Sequence, residues 1–211
     1  MIELNVKFLP YEKIAEEALN FLVKYHPEIT IPIPIDEIIE LDLGIDIVPT
    51  PNLQRDYDID GFTSSNLKFI YVDDFVFSKR PYRYRFTLAH ELGHILLHKK
   101  FFEAFHFNSV SSWEEFVTQV DPHDYDRLET QCYHFSGLIL VPPKPLRQSL
   151  LDNLDFISPD VEKAKSAGIE RNQYLDYVKN GIASKIAPFF EVSTDVIVRR
   201  IELGKLEELI P

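Results

Sequence analysis

Apolar residues along the chain recur at two spacings, and the switches between them predict its elements. Ile14, Ala18, Phe21, Leu22 and Tyr25 fall at three- and four-residue intervals, the stripe of an amphipathic helix over about Tyr11 to Tyr25. A short helix is expected from Asp36 to Leu41. Ile45 to Val48, Phe62 to Ser65 and Leu67 to Asp73 are shorter runs suited to strands, and the last two can pair as a hairpin through Ser65-Asn66. Leu88, Leu92, Ile95 and Leu96 restore helical spacing in a segment that Pro81 suits as a first turn. Asp126 to Val141 is a second long helix, with Leu128, Cys132, Phe135 and Ile139 on its buried face and Pro142-Pro143 as its stop. Between these two helices, Phe101 to Asp124 is aromatic and irregular. It reads equally as an excursion that buries its own rings and as the wall of a cleft.

These elements define an α+β body through about residue 143, followed by a helical unit over 144–211. The proline-rich stretches Ile31-Pro32-Ile33-Pro34 and Pro142 to Pro145 are rigid turns rather than flexible linkers. With 211 residues, 45% of them hydrophobic, the chain can bury one sizeable core and a small appended unit. No apolar stretch approaches the ~20 residues of a membrane span, and Met1-Ile2-Glu3-Leu4-Asn5 lacks a signal pattern. The single cysteine fits a reducing compartment. A soluble, cytoplasmic protein without membrane contact is therefore expected.

The net charge of −12 disfavours indiscriminate attraction to nucleic-acid phosphates. From Asp160 onward there are 8 basic and 9 acidic residues, against 14 and 25 before it, so the acidic excess belongs to the first part. The near-neutral last part, with only Arg199, Arg200 and Lys205 clustered, makes direct DNA binding a poor reading of its helices.

The chemistry is concentrated in His90-Glu91-Leu92-Gly93-His94. Residues four apart lie above one another on a helix, so His90 and His94 present two imidazoles to one point, where they can hold a metal ion. Glu91 starts on the adjoining flank and can act as general base on an activated water. Plain surface histidines are the bland alternative, but the helical context the motif demands is present. A catalytic zinc site takes a third protein ligand. The metzincin continuation would need glycine at 97 and histidine at 100, and the chain has Leu97 and Lys100.

Downstream candidates are Glu103, Glu114, Glu115, Asp121, Asp124, Asp126 and Glu129, with histidines 98, 106, 123 and 134. Glu129 alone borders the inward face of a predicted helix, where a dication would compensate its buried charge, and it is the expected third ligand. Zinc is the expected metal, with manganese or iron compatible with the same ligands. His98 continues the four-residue spacing but is rotated about 40° further with each such step, which favours a supporting or surface place. Cys132 reads as a core thiol rather than a nucleophile or ligand. Tyr71, Tyr125, Tyr133 and His98 are candidates for a second electrophile.

Two blocks carry a family resemblance. Arg85-Phe86-Thr87-Leu88-Ala89-His90-Glu91-Leu92-Gly93-His94 resembles the signature of the ImmA/IrrE metallopeptidases, and Glu129 to Pro142 is similar to their second block, in which the leading glutamate is a metal ligand. Cys132, Tyr133 and Ser136 stand where that family usually has alanine, asparagine and alanine. Tyr133 cannot repeat the short amide contacts of an asparagine. Looser similarity covers Ile31 to Ile45, Asp60-Gly61-Phe62, Phe69 to Val72, and Ala187 to Gly204, the last resembling the family's helix-turn-helix-like end. The resemblance implies a zincin-like body with a small sheet. It also implies a zinc-dependent peptidase whose substrate is a helix-turn-helix transcriptional repressor. The competing expectation is a module that holds a repressor without cutting it, or a toxin–antitoxin-like regulator on the same scaffold, but a pure binder has no chemical need for Glu91.

Overall fold

The computed structural model describes residues 6–105, 107 and 109–211. Met1 to Asn5, on which the expectation about a signal segment rests, and His106, among the candidate ligands, lie outside them. The chain forms two compact units, one of residues 1–29 and 34–139, the other of residues 30–33 and 140–211.

In the first unit, α1 (Tyr11–Tyr25) buries the stripe Ile14, Ala18, Phe21 and Leu22. α2 (Ile35–Glu37) passes into a π-helical turn, Ile38–Asp42, so the short helix expected at Asp36 to Leu41 is wound more widely than an α-helix. β1 (Asp46–Thr50), β2 (Gly61–Thr63) and β3 (Phe69–Asp73) form a sheet in the order β1-β3-β2. β1 runs parallel to β3 and β2 antiparallel to it. The β2–β3 hairpin turns at Ser64–Lys68, where Asn66 Oδ1 accepts from the Ser64 hydroxyl at 2.7 Å and from Lys68 N at 3.1 Å. Directly opposite in register, Phe62 and Tyr71 stack with centroids 4.7 Å apart.

Two short helices escape the periodicity argument. α3 (Leu53–Tyr57) lies between β1 and β2, and α4 (Asp74–Lys79) follows β3. Buried Asp73 fixes both: its Oδ1 caps α4 through Phe75 N and Val76 N at 3.0 and 3.1 Å, and its Oδ2 accepts Gln54 N at 3.0 Å.

β2 is an edge strand. Ser64 N donates to Phe69 O and Asp73 N to Asp60 O, so even-numbered positions of this strand face β3 and Gly61 and Thr63 turn their backbone groups outward. Beyond them, Ser65 N is already taken by Phe107 O at 3.0 Å. A Cβ on Gly61 would lie 2.6 Å from Tyr71 O and 2.9 Å from Thr87 Cγ2, so glycine lets the edge press onto the following long helix.

That helix, α5 (Pro81–Leu97), buries Leu88, Leu92 and Ile95, while Leu96 is 41% exposed. Thr87, Ala89, Gly93 and His94 are buried instead, because the helix is packed on two flanks, against the sheet and against another helix. α6 (Lys99–Phe102) and α7 (Val110–Gln119) occupy the aromatic segment. Phe101, Phe102, Phe107 and Phe116 cluster there with Val6 and Leu128. α8 (Pro122–Leu140) then runs to the end of the unit.

The second unit is helical: α9 (Pro143–Asp152), α10 (Leu154–Ser166), α11 (Arg171–Phe190), α12 (Thr194–Leu203) and a 3-10 turn, Leu206–Leu209. Pro143 opens α9 at a position that needs no backbone N–H. Lys179 of α11 is buried, with Nζ 3.0, 2.9 and 2.7 Å from Asp176, Glu202 and Glu207. Burial pulls its pKa down, but the three carboxylates outweigh that and hold it above the usual lysine value, so α11, α12 and the 3-10 turn share one satisfied charge cluster. Among the described residues no helix is long and apolar enough to cross a membrane.

Candidate metal centre

α5 sets His90 and His94 one turn apart, their ring centroids 4.9 Å from each other. α8 meets α5 at Gly93, where a Cβ would lie 3.1 to 3.2 Å from Sγ, Cα and Cβ of Cys132. Glycine therefore admits a close approach of the two helices, and that approach carries Glu129, nearly one turn before Cys132, over the imidazoles. Glu129 Oε2 is 3.1 Å from His90 Nε2, and Oε1 is 3.5 Å from His94 Nε2. Each carboxylate oxygen thus faces a different ring. Two Nε2 atoms and a carboxylate converging from two helices form a donor set that suits zinc and resembles the three-ligand arrangement of a catalytic site.

Glu91 is buried beside them, and its Oε2 accepts from the Thr63 hydroxyl of β2 at 2.9 Å. Thr63 was not singled out by any sequence pattern, since its role arises from a contact 28 residues away in the chain. These groups open into a cleft of about 240 Å³ whose walls include Gly61, Phe62, Phe86, Trp113, Phe116 and Tyr125. The aromatic segment therefore serves both of its expected roles: Phe102 and Phe116 belong at once to its own cluster and to the cleft wall.

The remaining candidates lie elsewhere. Glu103, Glu114, Glu115, Asp121, His123 and Asp126 are exposed, Asp124 pairs with Arg127 at 3.0 Å, and the His134 ring packs edge-on against Tyr11. Tyr133 is 37% exposed with its ring against Phe86, and Tyr71 stacks on Phe62. Of the four candidate electrophiles, Tyr125 alone lines the cleft. Burial first, then the charges of Glu129 and Glu91, push its phenol well above the usual value and keep it protonated.

Burial opposes charge on Glu129, yet hydrogen bonding and attraction from His90 and His94 outweigh it and hold the carboxyl well below its ordinary range. Burial likewise pulls His90 down, and its contact with Glu129 outweighs that and raises it above 6.5. In the metal-free protein the raised His90 stabilises the fold below its unfolded value of 6.5 and loses that contribution as pH rises through the folded value. The depressed Glu129 stabilises above its unfolded value of 4.5 and loses its contribution as pH falls through the folded value. The pair is thus most effective between those two unfolded values. A metal must displace the His90 proton, so its apparent affinity is expected to strengthen as pH climbs through the raised pKa. Calorimetry in buffers of different ionisation enthalpy checks this; uptake without proton release at or below pH 6.5 contradicts it.

His98 is buried, with Nε2 3.1 Å from Gln131 Oε1. Burial is the main force that pushes its pKa down to about 3, which keeps the ring neutral. Cys132 is buried as expected, but its thiol is more than packing: Sγ is 3.3 Å from His94 Nδ1 and 3.5 Å from His98 Nδ1, and burial pushes its pKa up. His90, His94 and Cys132 also bring one ligand atom each within 4.8 Å of one another. The thiol and the carboxylate address opposite nitrogens of His94. His90 and His94 turn their Nε2 atoms to Glu129, so the carboxylate and the thiol are alternative third donors.

Residues 41–202 match peptidase M78, the IrrE N-terminal-like domain. The chain belongs to this family of metallopeptidases, the ImmA/IrrE group that its two sequence blocks resemble. No curated protein matches the chain.

Proposed function

We propose that this protein is a zinc-dependent endopeptidase of the cytoplasm that cuts a regulatory protein, a helix-turn-helix transcriptional repressor, at one exposed linker. The observation that carries the reading is the convergence of His90 Nε2, His94 Nε2 and the Glu129 carboxylate beside a buried Glu91 within one cleft. His90, His94 and Glu129 would hold the ion, for which manganese and iron suit the same donors. Bound there, the ion supplies Lewis acidity that polarises a peptide carbonyl and acidifies water.

Glu91 takes a proton from the attacking water and returns it to the leaving amine, and the Thr63 hydroxyl keeps its carboxylate turned into the cleft. The protonated Tyr125 hydroxyl is our choice of donor to the developing oxyanion. An extended substrate segment adds at Gly61, where the β2 edge is still partly exposed beside the cleft, as peptides do at sheet edges. The repressor as substrate follows from the family resemblance alone. In the helical second unit, Val196, Ile197 and Ile201 are buried, and the solvent side of α12 mixes Asp195 with Arg199. We therefore assign it no DNA-reading role.

Co-expression with a small helix-turn-helix protein, taken from a neighbouring gene where one encodes it, tests the substrate. Intact mass should reveal two fragments from one linker cut, while casein-like unfolded chains stay nearly intact. Rapid digestion of many unfolded proteins by the zinc-loaded enzyme would replace this reading with that of a general peptidase.

A further inference from the structure

Behind His94, on the side away from Glu129, polar side chains run in single file through the buried interior. Gln131 Nε2 lies 3.1 Å from Lys7 O, Gln131 Oε1 lies 3.1 Å from His98 Nε2, and Cys132 Sγ lies 3.5 Å from His98 Nδ1 and 3.3 Å from His94 Nδ1. His98, Gln131, Cys132 and His94 are each 5% exposed or less. Buried polar groups must find partners, and here the partners are one another.

The direction of every bond follows from the first. A backbone carbonyl only accepts, so Gln131 must donate its amide N–H to Lys7 and turn its oxygen to His98. An amide oxygen also only accepts, so His98 Nε2 carries the proton. In a neutral imidazole that leaves Nδ1 as an acceptor, and the one hydrogen of Cys132 goes to it. The sulfur then has only lone pairs to offer His94, whose Nδ1 must donate. Once the His94 ring is neutral, with its one proton on Nδ1, it presents an unprotonated Nε2 towards the Glu129 side.

We infer that Cys132, His98 and Gln131 form a directed hydrogen-bond relay, anchored on the Lys7 carbonyl, that fixes the tautomer and orientation of His94 for metal binding. The inference deepens the reading of His94 as a ligand and rests on it. Cys132 is a positioning residue in this arrangement, neither a ligand nor a nucleophile. Without the thiol, Nδ1 loses its acceptor, and the ring's proton is drawn to Nε2, where Glu129 Oε1 waits 3.5 Å away. A metal would then have to displace it.

The experiment uses the full-length protein with Cys132→Ala, Cys132→Ser and Gln131→Leu. Nitrogen NMR of the histidine rings in the metal-free protein, at mildly alkaline pH, reads the tautomer of His94, and titration with cobalt(II) reads affinity. The wild type should hold its His94 proton on Nδ1. Cys132→Ala and Gln131→Leu should shift it towards Nε2 and weaken cobalt binding by about tenfold or more, as lost outer contacts of ligating histidines do. Cys132→Ser, whose hydroxyl donates and accepts like the thiol, should recover most of both.

Should Cys132→Ala fail to fold, Gln131→Leu decides, because it breaks the relay at its far end with the thiol in place. An unchanged His94 tautomer in either folded variant overturns the relay. So does a thiolate-to-cobalt charge-transfer band, which would make Cys132 a ligand. If the wild type binds no metal, the metal reading fails, while the ring nitrogen shifts still decide the relay.

Discussion

Glu91→Gln is expected to lower peptide cleavage by about a hundredfold to ten-thousandfold, the usual contribution of a positioned acid-base group, and to leave metal content unchanged. That loss corresponds to about 3 to 5 kcal/mol of transition-state stabilisation. Glutamine keeps the size of the side chain, and its amide oxygen can still accept from Thr63 Oγ1, which donates to Glu91 Oε2 at 2.9 Å. What it loses is the ability to take a proton. Metal content by elemental analysis and initial rates on the repressor check both halves. Full activity, or loss of metal, would show that Glu91 has another task.

His94→Ala is expected to do the reverse and empty the site. His94 is the better buried of the two imidazoles, faces Glu129 through Nε2 and contacts the Phe102 ring at 5.1 Å. If the roughly 10 to 16 kcal/mol of a structural zinc site is shared among its ligands, removing one costs about 3 kcal/mol, or a hundredfold or more in affinity. Metal added to the wild type raises its melting temperature by linkage, by about 4 kcal/mol of stability at a thousand times Kd. The same addition should leave His94→Ala nearly where it was, and Glu129→Ala should behave likewise. A variant that keeps the full metal-dependent rise would remove that residue from the ligand set.

The parts of this arrangement that could be read from the chain are the local ones. His90, Glu91 and His94 are joined by helical geometry alone, and Glu129 could be singled out because the periodicity of Leu128, Cys132 and Phe135 fixed an inward direction for its helix. Leu96 misled the same argument: it has the right spacing, but two packed flanks of α5 leave it outside the buried face. α3 and α4 are only 5 and 6 residues long, too short for a 3.6-residue period to register, and their anchor is the side chain of Asp73. The parallel pairing of β1 with β3 depends on contacts that no hairpin turn announces. Thr63 and Gln131 were beyond reach for the same reason, and His98 could be given only a supporting or surface place, without its partners. Each acts on a residue 28 to 38 positions away, or on a neighbour of one, and only the docked fold defines those distances.

Under the proposed edge addition, the shortness of β2 limits how much main-chain hydrogen bonding can contribute to holding a substrate. Gly61 and Thr63 together carry two outward N–H and two C=O groups, and those of Thr63 are buried, so four bonds is an upper limit. At a net value of about 1 kcal/mol each, four such bonds give about 4 kcal/mol, a dissociation constant near a millimolar. A free peptide at cellular concentration would leave the cleft mostly empty. A linker carried by a partner already docked elsewhere is present at an effective concentration in the same millimolar range, and can fill it. Weak grip at the bond to be cut thus turns tethering into the condition for cleavage.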